Sequence, residues 1–228
     1  MSATLYIVPT PRGNLEDMTL RAIRVLKEVD LILCEDTSVA QKLLKHYAIE
    51  TKTSNFFAQS PQSKIEKVLG LLEGGQNIAL ISDAGTPTIS DPGVILIDAI
   101  RRELPEVAVI PLPGASALTT ALSGSGITSS SFIFLGFFPH KKGRETLYRE
   151  IGESTRTIVF YESVHRIEKT LEQLTKYVLG TRLVCVCKEL SKMHEEIVRG
   201  TADEVLAYFT LHKDKVRGEF VIIIEGKK

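Results

Sequence analysis

The stretch Leu80-Ile-Ser-Asp-Ala-Gly-Thr-Pro-Thr-Ile-Ser-Asp-Pro-Gly93 begins in an apolar run and ends in a polar loop that contains Gly and Pro. Residues 78–81 predict a buried strand, and residues 94–102 predict a helix directly after the loop. In open α/β sheets, ligands bind beyond the carboxyl ends of the strands. The segment therefore predicts an α/β fold with a ligand site where this strand ends.

The rest of the first half repeats this alternation of short apolar runs and amphipathic segments. Ser60 is expected to cap one helix, with Pro61 at its first position and Gly74 at its end. Continuous apolar strands between amphipathic helices indicate a parallel sheet covered on both faces. Strands are predicted at residues 5–8, 31–34, 51–56, 78–81 and 107–112, and further helices at 17–28, 39–47 and 94–102.

The segment Pro111-Leu-Pro-Gly114 interrupts this alternation, and we place a domain boundary after residue 113. The later strands follow one another with fewer helices between them, which predicts a mixed sheet. The fold class is therefore α/β, with two α/β domains at residues 1–113 and 114–228. In the second domain, strands are predicted at 132–138, 157–161, 183–188, 196–200 and 220–225, and helices at 116–123, 144–151, 164–177 and 202–209.

Composition places the chain among ordinary globular proteins. Its 228 residues are 43% hydrophobic, and 28 Lys and Arg balance 28 Asp and Glu. The first residues lack the basic start and long apolar stretch of a signal peptide, and no apolar run has the length of a membrane helix. Three cysteines favour a reducing compartment over a disulfide framework, and they complete no zinc set. We therefore expect a cytoplasmic protein without a membrane segment or a metal site.

Polar, Gly and Pro residues follow six of the predicted strands. Each loop alone is explained equally well as a turn, and the Glu35-Asp36 pair equally well as solvated charge. Six such loops at one end of two sheets favour a ligand cleft between two domains. The loops begin at Pro9, Glu35, Ser82, Pro113, Tyr161 and Lys188.

Several common nucleotide and hydrolase motifs are missing from these loops. The sequence has no G-x-x-x-x-G-K-[ST], no G-x-G-x-x-G after a strand, and no G-x-S-x-G. Neutral, Pro-containing loops with isolated Asp residues suit an adenosine that carries a cationic sulfonium, because carbonyl and carboxylate oxygens accept from ribose hydroxyls and the adenine amine. Other nucleosides would satisfy the same pattern.

The order of these motifs resembles the tetrapyrrole methylase-like (class III) S-adenosylmethionine-dependent methyltransferases, and within them the branch that acts on small-subunit ribosomal RNA. The resemblance covers nearly the whole chain. The stretches that carry it are Leu5-Tyr-Ile-Val-Pro-Thr-Pro-Arg-Gly-Asn-Leu15, Cys34-Glu-Asp-Thr37, Leu80 to Gly93, Pro111-Leu-Pro-Gly114, Phe134-Leu-Gly-Phe137, Phe160-Tyr-Glu-Ser163, His165-Arg166 and Gly218-Glu-Phe220.

This resemblance implies a homodimer that holds S-adenosylmethionine in a cleft between two α/β domains. It also implies 2'-O-methylation of a cytidine ribose in small-subunit (16S) ribosomal RNA. Carried over residue by residue, the donor-binding positions are Pro9, Thr10, Asp83, Gly85, Thr86, Ser116, Ala117, Tyr161, Leu190 and Gly218. The chain departs from the family pattern at Arg12, Ser38, Ala115, Val164 and Lys188, which affects the expected RNA contacts more than the donor site.

Methyl transfer to a ribose hydroxyl requires alignment and loss of a proton, but no metal. We favour Asp36 and Glu162 as the catalytic residues that handle the acceptor. Other candidate bases are Glu35, His165 and Glu189, and Lys188 and Lys192 are candidate cations that could also hold phosphates. The predicted RNA-binding residues are Arg12, Lys141, Lys142, Arg144 and Arg166.

Two other functions are compatible with the sequence. One is C-methylation of a tetrapyrrole of the precorrin or uroporphyrinogen type, and the other is a non-catalytic S-adenosylmethionine-binding protein. Tetrapyrrole enzymes usually have a Gly-rich first loop. They also have a shorter Gly-Asp-Pro loop at the position where this chain has the loop that begins at Ser82. The segments Pro9-Thr-Pro-Arg-Gly13 and Asp83-Ala-Gly-Thr-Pro87 therefore favour the RNA branch.

Overall fold

A computed structural model describes residues 3–11, 13–57, 60–90, 93–140 and 143–228. The chain forms two compact units, one ending at Ser116 and the other spanning Ala117–Lys228. Each unit is built around its own sheet of five strands.

The first unit has a fully parallel sheet, as the continuous apolar strands predict. Its strands are β1 (Thr4–Val8), β2 (Leu31–Cys34), β3 (Thr53–Asn55), β4 (Ile78–Ile81) and β5 (Ala108–Pro111). Their spatial order is β3-β2-β4-β1-β5, so β1 lies between β4 and β5. All five strands therefore end at the same edge, which we call the carboxyl edge of the first sheet.

Four helices cover the two faces of this sheet. Helices α1 (Leu20–Glu28) and α2 (Thr37–His46) pack on one face, and α3 (Gln62–Glu73) and α4 (Val94–Glu103) pack on the other. The buried stripe of α3 consists of the residues expected from its helical periodicity: Ile65, Val68, Leu69 and Leu72.

The starts of several helices differ from the sequence predictions, and two of the differences have a visible cause. A short 3-10 turn occupies Leu15–Asp17, and α1 begins later because the Thr19 hydroxyl accepts from the amide of Ala22 at 3.1 Å. The prediction that Ser60 caps α3 is wrong: Pro61 holds the cap position without a side-chain hydrogen bond. The Ser60 hydroxyl instead accepts from the amide of Phe57, at 3.0 Å.

The second unit has the predicted mixed sheet, with spatial order β6-β7-β10-β8-β9. The pair β6 and β7 is parallel, and the other three pairs are antiparallel. The elements are α5 (Ala117–Ser125), β6 (Phe132–Phe137), α6 (Arg144–Glu153), β7 (Thr157–Ser163), α7 (Ile167–Tyr177), β8 (Val184–Lys188), β9 (Glu196–Gly200), α8 (Ala202–Leu211) and β10 (Glu219–Ile224).

The two faces of the second sheet have separate cores. Helices α6, α7 and α8 cover the face that carries Phe160 and Ile222, and α5 covers the face that carries Cys185 and Cys187. Both thiols are fully buried, with 3.9 Å between the sulfur atoms. They pack as small apolar side chains, which is the interpretation that the sequence favoured.

The helices formed by the described residues are all too short or too polar to span a bilayer. Within those same residues, no group of three His, Cys, Asp or Glu side chains is arranged to hold a metal ion.

Candidate functional site

The loops after β1 and β4 are joined directly at the carboxyl edge of the first sheet. The backbone amides and carbonyls of Thr10 and Gly85 exchange hydrogen bonds of 2.9 and 2.6 Å. The buried Thr10 hydroxyl donates to the carbonyl of Ser82 at 2.7 Å. Two loops that are more than 70 residues apart in sequence are thus held as one surface.

The loop after β5 joins the same surface through small residues. The Thr86 hydroxyl donates to the carbonyl of Ala115 at 3.1 Å. A Cβ atom on Gly114 would lie 2.8 Å from the Cβ of Pro9, so Gly114 permits a close approach of the two loops. Ser116 follows Ala115 in the chain, and Ala117 is the first residue of α5. The edge therefore gathers the predicted donor-binding residues Pro9, Thr10, Gly85 and Thr86.

The loop after β4 contains strained backbone, as does the segment after β8, where Glu189 and Ser191 have φ angles of 50° and 65°. Thr88 and Ser90 have φ angles of 76° and 64°, in the left-handed region that residues other than glycine rarely adopt. Gly93 has a φ of 120°, and a Cβ there would lie 2.6 Å from Cδ2 of Leu80. Strained residues of this kind persist where the surroundings require them, and they cluster in ligand-binding loops.

Two carboxylates lie on the acidic side of this edge. Asp83 Oδ1 accepts from the amide of Asp36 at 3.2 Å. Asp36 is the N-cap of α2, and its carboxylate accepts from the amide of Ser38 at 2.7 Å. This hydrogen bond lowers the pKa of Asp36, which makes its carboxylate a weaker proton acceptor. Burial, followed by the charges of Asp83 and Asp36, raises the pKa of the nearby Cys34 thiol to about 11.

At the second sheet, the loops that contain predicted site residues again share one edge. Strands β6, β7 and β8 end where β9 and β10 begin, because β9 and β10 run in the opposite direction. We call this the functional edge of the second sheet. Tyr161 lies here, with its ring packed edge-on against Phe134 and Phe137 at centroid distances of 5.0 and 5.2 Å.

Glu189 connects the segments that contain Leu190 and Gly218 through hydrogen bonds. Its carboxylate accepts from the amide of Glu219 at 3.0 Å and from Lys192 Nζ at 2.6 Å. Burial alone would raise the pKa of Glu189, but the hydrogen bonds from Lys192 and Glu219 outweigh it and lower the pKa. Gly218 has a φ of 78°, and a Cβ there would overlap the Glu189 carboxylate. The candidate base Glu189 is thus engaged in holding two predicted donor-binding segments.

Glu162 lies inside the second unit, with a side chain that is 0% exposed. Its Oε1 accepts from the amide of Ser163 and pairs with Nη2 of Arg166, both at 2.8 Å. Its Oε2 accepts from the Thr170 hydroxyl at 2.7 Å and lies 3.7 Å from Nη2 of Arg144. Both oxygens are therefore engaged in positioning their neighbours.

Arg144, expected to face RNA, points inward. Its guanidinium donates to the Pro139 carbonyl at 2.8 Å, to the Tyr148 hydroxyl at 2.7 Å and to the Thr170 hydroxyl at 2.9 Å. It also lies over the Phe138 ring, 4.8 Å from the centroid. The other predicted RNA-binding residues Arg12, Lys141 and Lys142 lie outside the described residues.

Thr170 is a residue that the sequence reasoning missed. It lies on the buried face of α7 and connects Arg144 to Glu162. Its signal was a polar residue in an otherwise apolar helical stripe, with Ile167, Leu171 and Leu174 as the other buried positions. A buried hydroxyl in such a stripe needs a polar partner inside the fold.

A model of the tetrapyrrole (corrin/porphyrin) methylase family matches residues 4–206. Ribosomal RNA small subunit methyltransferase I of Halalkalibacterium halodurans is 45% identical over 224 residues, which are 98% of this chain and 76% of that relative. The protein of the same name from Escherichia coli O157:H7 is 44% identical over 98% of this chain and 78% of its own length.

Solved structures of more distant proteins share the fold. A cobalt-precorrin-4 methyltransferase superposes with a TM-score of 0.69 at 16% identity, covering 97% of this chain and 94% of its own. A diphthine synthase superposes with a TM-score of 0.70 at 12% identity, covering 99% and 91%.

Proposed function

The chain belongs to the tetrapyrrole methylase family and is a methyltransferase, and from that premise we propose that it methylates the 2'-hydroxyl of a cytidine ribose in small-subunit (16S) ribosomal RNA. S-adenosylmethionine is the proposed methyl donor. The observation that carries this proposal is identity of about 45% to the ribosomal RNA methyltransferases over nearly the whole chain. The tetrapyrrole enzymes, at 16% identity, support only the fold.

The residues at the two sheet edges fit the proposed donor. A sulfonium carries a positive charge, and the carboxyl edge of the first sheet presents the carboxylate of Asp83. Carbonyl oxygens in the joined loops supply acceptors for ribose hydroxyls and an adenine amine. We propose that the donor is held by Pro9, Thr10, Asp83, Gly85, Thr86, Ser116 and Ala117 from one loop set, and by Tyr161, Leu190 and Gly218 from the other.

When bound, S-adenosylmethionine would supply an electrophilic methyl group that transfers by in-line displacement. The chain's own contribution is then alignment, which in favourable cases lowers a barrier by about 7–11 kcal/mol. The bridge between Thr10 and Gly85 supports this view, because its two hydrogen bonds fix two of the proposed donor loops relative to each other.

We propose that Asp36 and Glu162 serve the acceptor in different ways. Asp36 lies at the carboxyl edge of the first sheet, with a lowered pKa, and is suited to accept a hydrogen bond from a ribose hydroxyl. Glu162 is enclosed by Ser163, Arg166 and Thr170, and is suited to position the segment that follows Tyr161.

The proposal extends to the setting of the reaction. The substrate is ribosomal RNA or the assembled small subunit, the enzyme is a homodimer, and the location is the cytoplasm, where the subunit is assembled. The three candidate functions differ in the atom that receives the methyl group. It is a ribose oxygen in the proposed function, a carbon atom in C-methylation of a tetrapyrrole, and no atom at all if the protein binds the donor without transfer.

The test is incubation of the purified protein with labelled S-adenosylmethionine and small subunits from cells that lack it. We expect label in one ribose of the RNA, mapped by resistance of the adjacent phosphodiester to alkali, and restored in cells by the cloned gene. A porphyrinogen is the parallel acceptor. Label in the porphyrinogen alone, or donor binding with no transfer to subunits, would overturn the proposal.

A further inference from the structure

Lys188 has a largely buried side chain and an ammonium group with unused hydrogen-bonding capacity. It ends β8 at the functional edge of the second sheet, and its side chain is only 6% exposed. Its nearest acidic atom is Oε2 of Glu196, at 3.9 Å, which is beyond hydrogen-bond distance. Among the described residues, its ammonium donates no hydrogen bond at all.

Glu196 does not compensate this charge, because it already has other partners. Its Oε1 accepts from the Tyr208 hydroxyl at 2.5 Å and from Lys215 Nζ at 2.6 Å. Burial alone would raise the pKa of Glu196, but these partners lower it. One carboxylate therefore faces two ammonium groups, and Lys188 is the more distant of them.

Arg166, on the same face of the same sheet, gives a second and independent sign of missing acceptors. Its Nη1 is buried and has no partner among the described residues, while Nη2 pairs with Glu162. Phe220 pairs in register with both Lys188 and Glu162, the ion-pair partner of Arg166, so the backbones of Lys188 and Glu162 are two strands apart, roughly 10 Å.

A buried cationic donor without an acceptor, such as Arg166 Nη1, is costly, and a native protein keeps one where a function requires it. Anionic oxygens, one for each group, would supply the acceptors that Lys188 and Arg166 lack. The second unit contains 17 Lys and Arg against 14 Asp and Glu, so its charge also favours an anion. Guanidinium and ammonium groups are the usual partners of nucleic-acid phosphates.

We propose that Lys188 and Arg166 bind phosphate oxygens of the RNA backbone beside the methylated ribose, with Lys188 as the principal contact. This inference rests on the proposed function and adds the group that fixes the acceptor strand. Glu162 and Ser163 are positioning residues for Arg166, through contacts of 2.8 and 3.1 Å. Such contacts fix the register of the strand without reading its sequence.

The test measures the affinity of unmethylated small subunits for the protein as a function of salt, together with donor affinity and Tm. We expect K188M to bind subunits on the order of tenfold more weakly and to reduce the salt slope by about one. Donor affinity should be unchanged. Tm should stay equal or rise, because the variant replaces an uncompensated buried charge with an apolar chain. R166Q should weaken subunit binding in the same direction.

K176M is the matched control, since Lys176 is an exposed lysine in the last turn of α7. Wild-type subunit affinity in K188M would overturn the inference, as would lower Tm with unchanged salt slope, which would assign Lys188 to a structural pair with Glu196. Weaker donor binding with normal subunit binding would mean that Lys188 binds the carboxylate of S-adenosylmethionine rather than an RNA phosphate, and would also overturn the inference. None of these three outcomes affects the proposed function, provided that the wild-type protein methylates small subunits in the same preparation.

Discussion

Gly218 shows how one missing Cβ atom can control two loops. The Glu189 carboxylate occupies the space that a side chain at position 218 would fill. Adding one carbon must therefore displace Glu189, and with it the segment that contains Leu190. Because both Leu190 and Gly218 are proposed to contact the donor, the effect should reach donor binding.

We predict that Gly218→Ala lowers both stability and donor affinity. The backbone cost of an alanine in the left-handed region is about 1–2 kcal/mol, and the clash with Glu189 adds to it. Gly180→Ala is the control, since Gly180 has a φ of 69° and no atom lies within 4 Å of the position that its Cβ would take. Urea unfolding and calorimetric titration with S-adenosylmethionine measure the two effects. Equal behaviour of the two variants would show that the Glu189 contact is unimportant.

Asp36 combines a structural role that is visible with a chemical role that is proposed. As the N-cap of α2, it should tolerate asparagine, because both residues cap helices well. We predict that Asp36→Asn keeps Tm and donor affinity but sharply reduces turnover. Thr19→Ala, which removes the cap of α1, should lower Tm and leave turnover per folded molecule unchanged. Near-normal turnover of Asp36→Asn would limit Asp36 to its capping role.

At the scale of elements, Arg144 ties the start of α6 to the segment after β6 and to α7. Its guanidinium reaches the carbonyl of Pro139 before α6, and Thr170 within α7. We predict that Arg144→Lys lowers the free energy of unfolding by about 2–4 kcal/mol, because a lysine cannot form this fork of hydrogen bonds. The salt slope of subunit binding should not change. A reduced slope with unaltered stability would instead support the original prediction that Arg144 contacts RNA.

The order of elements could be predicted from sequence because apolar periodicity reports which residues are buried. The parallel first sheet followed from continuous apolar strands, and the mixed second sheet from late strands with few helices. Helix starts were harder. The prediction of a helix from residue 164 is wrong: α7 begins at Ile167, because Arg166 N donates to the Ser163 carbonyl in a turn. Such local competition is invisible to periodicity.

The site was predictable where topology alone brings residues together. Parallel strands must end at one edge, so Thr10 and Gly85 meet whatever their side chains do. The direction of Arg144 was not predictable, because it depends on how the rings of Phe138 and Tyr148 pack and on Thr170, which lies 26 residues away in the chain. A run of basic residues indicates solvent exposure only on average. The register that aligns Glu162 with Lys188 across Phe220 was equally hidden.

At the scale of the whole molecule, a zero net charge conceals an uneven distribution. The first unit holds 11 Lys and Arg against 14 Asp and Glu, while the second holds 17 against 14. The acidic unit presents Asp83 at its edge, which suits the proposed cationic donor. The basic unit suits an anionic polymer, whose affinity is dominated by phosphate contacts. The overall balance therefore argues against RNA binding only if the charges are evenly spread.

This distribution predicts that RNA contacts lie in the second unit. We expect the double variant K141Q/K142Q to bind small subunits more weakly and to lower the salt slope by about two, because each lost phosphate contact removes roughly one unit. The matched double variant K45Q/K52Q changes two exposed lysines of the first unit and should leave the slope unchanged. Donor affinity should be unaffected in both, since neither pair belongs to the proposed donor site. If instead K45Q/K52Q lowered the slope and K141Q/K142Q did not, the acidic unit would carry the RNA, and the separation of charge would have no role in choosing the substrate.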